Sequence, residues 1–136
     1  MPMPRLLFDA SSLLAALKAG RVRILLGECT QCLAIYEVCN GLWKEIHVLG
    51  KLTREEALHV VNVLKEVVEY MEVLSIHPYE EEVLSIALST GLTAYDASYI
   101  VAAIKRRLTL VTEDRQLKRA AARYVETCSV SELAVG

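Results

Sequence analysis

The sequence predicts an α/β fold, a three-layer sandwich in which a short-stranded, mainly parallel central sheet is flanked by helices. Short apolar runs of strand length alternate with longer stretches of helical periodicity, and strands separated by helices imply right-handed crossovers into a parallel sheet. At 136 residues the chain suits one domain, assigned to 1–136, with one core. Proline occurs only at positions 2, 4 and 78, and no repeat, low-complexity run or linker marks a boundary.

The elements follow in order. Residues 5–8 form a short apolar strand, and Ser11 to Lys18 a helix ending before Gly20. Arg23 to Leu26 reads as a second short strand. A longer helix spans Gln31 to Val48 and stops at Gly50. Arg54 to Met71 is the clearest helix, because Ala57, Val60, Val61, Leu64, Val67, Val68 and Met71 hold the i, i+3, i+4, i+7 spacing. Thr53 followed by Glu56 supplies its capping box. Val73 to Ile76 is a strand stopped by Pro78, and Tyr79 to Ser89 a helix stopped by Gly91. Ala94 to Lys105 is a helix, Thr109 to Thr112 a strand, Arg115 to Arg123 a helix, and Tyr124 to Thr127 the last strand.

Composition narrows the class. The hydrophobic fraction is 54%, high enough to suggest that a second subunit covers some apolar surface, so a homodimer is expected. No apolar run approaches the ~20 residues of a membrane span, so no membrane association is expected and the protein is read as soluble and cytoplasmic. The net charge of −2 conceals an asymmetry. Residues 55–82 carry eight glutamates against Lys65, whereas 105–123 carry Lys105, Arg106, Arg107, Arg115, Lys118, Arg119 and Arg123 against Glu113 and Asp114. The acidic stretch reads as a solvated helix face; the basic stretch would draw a polyanion. Cys29 and Cys32 have a metal-pair gap, but no second pair follows and His47, His59 and His77 lack ligand spacing. Cys29, Cys32, Cys39 and Cys128 are therefore expected as small buried apolar residues, with a disulfide open if the source is a hyperthermophile.

Four acids stand out. Asp9, in "LLFDASSLL", falls at the carboxyl end of the first strand, and Asp114 does so after "TLVT"; ligands bind at this edge of a parallel sheet. Taken singly, either aspartate suits a helix N-cap. Glu37 lies inside an apolar helix with Asn40, Gly41 and Lys44 on its side, so either Lys44 neutralises it or another cation does. Asp96 opens an apolar helix and also suits the helix dipole. Taken together, four carboxylates gathered at one edge repel unless a cation sits between them, and oxygen-only donors select Mg²⁺ or Mn²⁺. A phosphate-cradling glycine loop is missing, which argues against nucleotide hydrolysis. A phospho-acceptor domain also fits poorly, because "FDAS" supplies one acid and no lysine follows "TLVT".

These segments, "FDASSLL", "YEVCN", "TAYDASYIVAA" and "LVTEDRQL", resemble the four acidic motifs of the PIN domain family, most closely its small VapC-type toxin ribonucleases. The resemblance covers nearly the whole chain and implies a PIN-like sandwich. It implies Asp9, Glu37, Asp96 and Asp114 as metal ligands or their close supporters, and Ser11, Asn40 and Thr112 at the smaller polar positions. Glu113 alternates away from Thr112 and receives no metal role. The resemblance further implies a Mg²⁺- or Mn²⁺-dependent endoribonuclease hydrolysing RNA phosphodiesters, a homodimer and, for toxins, an inhibitory antitoxin; the alternative is a non-catalytic interaction module of the same fold. Arg115, Lys118 and Arg119 are candidate RNA contacts. Trp43, Tyr95 and Tyr99 are expected in the core rather than stacked on bases.

Overall fold

In the computed structural model, which describes residues 5–134, five three-residue or shorter strands form one sheet. They are β1 (Leu6–Phe8), β2 (Cys29–Gln31), β3 (Glu72–Leu74), β4 (Thr109–Val111) and β5 (Thr127–Cys128). Between them run α1 (Ala10–Lys18), α2 (Cys32–His47), α3 (Arg54–Val68), α4 (Glu80–Thr90), α5 (Ala94–Arg106) and α6 (Arg115–Ala121). The strand order is β3-β2-β1-β4-β5 and every pairing is parallel. The first two crossovers move toward β3 and the last two toward β5, so right-handedness puts α1–α3 on one face and α4–α6 on the other. Contacts among α1, α2 and α3, and between α4 and α5, agree. Residues 1–4 and 135–136 of the expected domain lie outside the described residues, among which no helix is long and apolar enough to cross a membrane.

Leu7, Phe8, Leu110 and Val111 of the two central strands are sealed from water, and Leu13, Val38, Leu64, Ile100 and Leu117 close on them from the helices. α3 starts where expected: Thr53 accepts from the Glu56 backbone N–H and Glu56 accepts from that of Thr53. It stops at Val68 rather than Met71. The stretch expected as a last helix to Arg123 ends at Ala121, and the final strand begins at Thr127 instead of Tyr124.

One strand was misplaced. The apolar stretch 23–26 curls into a 3-10 turn over Val22–Ile24, which drops Leu25 alone into the core. The true second strand is the polar "CTQ", whose three residues are all buried. It has no hydrophobic signature because its polar groups are satisfied internally: the Thr30 hydroxyl donates to the Phe8 carbonyl at 2.8 Å, and the Gln31 amide donates to Ser98 Oγ at 2.9 Å. Gly27, at φ 78°, turns the chain into this strand while its N–H donates to the Tyr70 carbonyl at 2.8 Å.

Aromatic and cysteine placement also departs from expectation. Tyr99 is in the core, but Trp43 is 52% exposed, stacked on His47, and Tyr95 is 64% exposed. Cys29 is buried and Cys128 half-buried, whereas Cys32 and Cys39 are exposed, seven residues apart on one face of α2; all four thiols are free. Their apolar sequence neighbours suggest burial, but Ala34, Val38 and Leu42 already fill the inward stripe of α2 and leave these two thiols outside.

Replacing Gly27 by alanine should cost about 1 kcal/mol in urea unfolding, through the left-handed backbone alone, since nothing stands within 4 Å of an added Cβ. An unchanged midpoint would show that the turn does not need glycine.

Candidate functional site

Strands β1 and β4 pair directly, with Phe8 opposite Val111, so Asp9 and Thr112 leave the sheet side by side at its carboxyl edge. Asp9 caps α1: Oδ1 accepts from the Ser12 backbone N–H at 2.9 Å, from Ser11 Oγ at 2.8 Å and lies 2.9 Å from Ser12 Oγ. Its Oδ2 accepts from Thr112 Oγ1 at 2.5 Å. Both hydroxyl anchors reach further. Ser11 Oγ accepts from the Glu113 N–H at 2.9 Å and Thr112 Oγ1 from the Asp114 N–H at 3.0 Å. Ser12 Oγ also lies 2.7 Å from the Val111 carbonyl, tying α1 to β4. Burial pushes the Asp9 carboxyl above its ordinary range, and the bonds from Thr112, Ser12 and Ser11 pull it partly back.

Glu37 stands in the second turn of α2, half-buried. Its partner is the Tyr99 hydroxyl of α5, which donates to Oε1 at 2.6 Å, rather than Lys44, which is exposed. Burial, then the hydrogen bond to Glu37 and the charge of Glu37, raise the Tyr99 phenol and keep it a neutral donor. Glu37 itself is raised by burial, lowered by Tyr99, and raised again by the charges of Asp96 and Asp9.

Asp96 lies in the first turn of α5, where its N–H donates to the Thr93 hydroxyl at 3.2 Å. Burial raises its carboxyl first, then the charges of Asp114 and Asp9, with no hydrogen bond among the described residues to offset them. Asp114 caps α6, with Oδ1 accepting from the N–H groups of Gln116 at 2.9 Å and Leu117 at 3.0 Å. It does this while exposed, so capping and membership of the acid group coexist.

The four acids therefore occupy one electrostatic neighbourhood, in which Asp9 acts on Glu37 and Asp96, and Asp96 feels Asp114. Among the described residues no three His, Cys, Asp or Glu side chains already close on one point as a metal cage. The donor set still fits a hard divalent ion: it is all oxygen, its members repel, and Asp96 brings a carboxylate that no donor among the described residues stabilises. Mg²⁺ in particular keeps several waters and takes only one or two direct carboxylates, so a looser group of acids suits it.

The other expected residues divide. Ser11 and Thr112 hold Asp9, as described. Asn40 is exposed one turn beyond Glu37 and makes no hydrogen bond to the acids among the described residues. Glu113 turns to the far side, where Oε2 accepts from the Val130 N–H at 2.8 Å. Lys118 is paired with Glu132 at 2.7 Å, whereas Arg115 and Arg119 are exposed. Sequence reasoning missed Ser12 and Tyr99. The serine three residues after Asp9 was a usable signal for a local hydroxyl bond, but Tyr99 requires knowing that α2 and α5 meet at the edge.

A family model described as "PIN domain" matches residues 6–123. "Ribonuclease VapC3" of Pyrobaculum aerophilum is 42% identical over 88 residues, covering 62% of this chain and 64% of that protein. "Exonuclease VapC9" of the same organism is 44% identical over 85 residues, covering 62% of this chain and 60% of that protein. The matched region thus spans less than two thirds of the length of either relative. Among solved structures, PAE2754 from Pyrobaculum aerophilum superposes with a TM-score of 0.75 at 35% identity, covering 94% of this chain and 90% of that one. VapBC2 from Rickettsia felis, bound to a DNA fragment from its promoter, gives 0.62 at 15% identity, covering 91% and 97%, a likeness of fold.

Because the Asp96 carboxyl is raised in the fold, its contribution to stability is full below its unfolded range and is lost as pH rises through the shifted one. Asp96→Asn should therefore stabilise the metal-free protein near pH 7 by a few tenths to about 1 kcal/mol, allowing for water screening of a half-exposed group, with the gain vanishing at acid pH. Equal or lower thermal stability of the variant at pH 7 would contradict the repulsion.

Proposed function

The chain belongs to the PIN domain family, and from that membership and the acid group at its sheet edge we propose a metal-dependent ribonuclease that hydrolyses internal RNA phosphodiesters. The observation that carries this reading is that acids from four remote segments share one sheet edge, where the charges of Asp9 and Asp96 bear on Glu37 and those of Asp9 and Asp114 on Asp96. Abandoned acids have no reason to stay together at such a cost. Nucleases that need no protein nucleophile hold a cation where the phosphate will lie, and these oxygens suit Mg²⁺ or Mn²⁺.

Asp96, with neither oxygen engaged among the described residues, and Asp9, through the remaining capacity of Oδ2, are the side chains proposed to hold the ion. Glu37 Oε2 and Asp114 Oδ2 are left free by the bonds to Oε1 and Oδ1 and complete its surroundings, directly or through water. A divalent ion held there would supply positive charge to the phosphate and make a water more acidic. The chain's own part is positioning. Ser11, Ser12 and Thr112 fix the Asp9 carboxylate from three sides, Tyr99 fixes that of Glu37, and the α6 amides fix that of Asp114. With Glu37 ionised and oriented, Oε2 is a site for the proton that water gives up as it adds to phosphorus, while the bond from phosphorus to the departing ribose oxygen breaks and that oxygen takes its proton from solvent.

The biological role proposed is the toxin of a VapBC-type pair. The names of the two VapC relatives and the VapBC2 fold neighbour support an antitoxin partner. A homodimer is proposed from the exposed apolar side chains, including Tyr36, Trp43, Leu84 and Leu88. Arg115 and Arg119 are proposed to meet the RNA backbone. Lys118, held by Glu132, is a weaker candidate than sequence alone suggested.

Cleavage of single-stranded RNA with Mg²⁺ or Mn²⁺ should fall at least ~100-fold in Asp9→Asn and in Asp96→Asn and stop with chelator. Equal turnover of the parent and both variants, or turnover indifferent to chelator, overturns the nuclease reading. Tyr99→Phe should lower turnover by about tenfold and move the acid limb of the pH–rate profile upward, since Glu37 loses the bond that favours its charged form. An unmoved limb would return Tyr99 to packing alone.

A further inference from the structure

A second charged feature lies beside the acids. Between the carboxyl end of α4 and the outer side of α6 opens a cavity of about 330 Å³ lined by Ser89, Thr90, Leu92, Gln116, Arg119, Ala120 and Arg123. Its position is fixed from both sides. Leu92 directly precedes Thr93, the cap of the helix that carries Asp96, and Gln116 gives its backbone N–H to Asp114. At 1.5 Å rise per residue, Arg119 begins roughly 7.5 Å along the helix from Asp114.

The cations of this cavity are unpaired and no acid lines it with them, a combination that sets it apart from the other described cavities. The cavity around Pro78 contains Lys105 and Arg106, but they are paired with Glu82 and Glu72. The cavity between α1, α2 and α3 mixes Lys18 and Lys51 with Glu45, Glu55 and Glu56, and the one near Tyr124 sets Arg107 beside Glu126. The α4–α6 cavity has no acid in its lining, and no ion pair or side-chain hydrogen bond reaches Arg119 or Arg123 among the described residues. One opposing element exists. The carboxyl end of α4 points its partial negative charge here, and the Ser89 and Thr90 hydroxyls donate back into that helix rather than into the cavity. Two unpaired guanidinium groups at such an end attract an anion only if their full charges outweigh the half charge of the helix, and they do.

We propose that this cavity seats a phosphate group of the nucleic-acid strand, with Arg119 and Arg123 as its cations, at a distance that sets the register of the strand on the acids. The inference rests on the ribonuclease reading and adds a contact to it: the metal-binding edge takes one phosphate, and the cavity takes another or the phosphate at a strand end. Planar guanidinium groups suit phosphate oxygens, and two of them suit the dianion of a terminal phosphate as well as an internal diester. Gln116 offers an amide at the rim between the two places.

The test is filter binding of short single-stranded RNA to the full chain carrying Asp96→Asn, with chelator present so that nothing is cut. Three oligonucleotides are compared: one with a 5′-phosphate, one with a 3′-phosphate and one with hydroxyl ends. Arg119→Gln combined with Arg123→Gln should weaken binding at least about tenfold and reduce the salt slope by about 0.7 for each phosphate lost. The Arg54→Gln control on α3 should change neither, and Arg119→Lys with Arg123→Lys should recover most of the slope. A loss confined to one phosphorylated end assigns the cavity to a terminal phosphate, and an equal loss on all three assigns it to an internal one. In the active chain the glutamine pair should raise KM and leave kcat within about twofold. Binding and slope matching the Arg54 control, while the parent cleaves RNA, overturn the phosphate seat and leave the nuclease reading standing. A parent that binds RNA through these arginines but never cleaves it overturns the nuclease reading instead.

Discussion

A buried carboxylate held at the sheet edge is the constraint on which the rest of this structure depends. Asp9 is nearly sealed from water, and such a group is tolerable only when its oxygens are satisfied. The chain meets that demand with hydroxyls from two directions, Ser11 and Ser12 of α1 and Thr112 after β4, and those of Ser11 and Thr112 then accept from the Glu113 and Asp114 amides. One charge thereby fixes where α1 begins, how it sits on β4, and how the chain leaves β4 for α6. A helix cap and a reactive edge are one arrangement seen from two sides.

The very short strands make the rest of the edge possible. With only three residues in each central strand, the sheet is about 10 Å tall, and helices on its two faces extend past it. Glu37 from one layer and Tyr99 from the other then meet over the end of β2, while Gln31 and Ser98 bond beneath them. A taller sheet would hold these layers apart. The acids repel one another across this meeting point, and the energy that folding spends there is what a bound cation would recover.

What could be read from the sequence divides along physical lines. The α3 helix was legible to its cap because its periodicity and its Thr53–Glu56 pair are local. Asp9, Asp96 and Asp114 were legible as edge acids for the same reason, each standing at a junction between elements. β2 was not, because Cys29 is its single apolar residue while Thr30 and Gln31 are buried through side-chain hydrogen bonds that local sequence does not reveal. The surroundings of Glu37 were only half legible: an acid on an apolar helix announces a partner, but choosing Tyr99 over Lys44 depends on a long-range contact. Tyr95 and Trp43 failed in the opposite sense, since aromatic character argues for burial while their helices had already filled their inward faces with smaller residues.

The stacking of Trp43 on His47, 5.3 Å between ring centroids, has a practical side. The chain contains a single tryptophan, so all of its indole emission arises from one half-wet position on α2, the helix that also carries Glu37. Light collected from that ring reports on the surface of this helix without any attached dye. Whatever settles on α2, whether another protein or a second copy, would write its arrival into the colour and brightness of one residue.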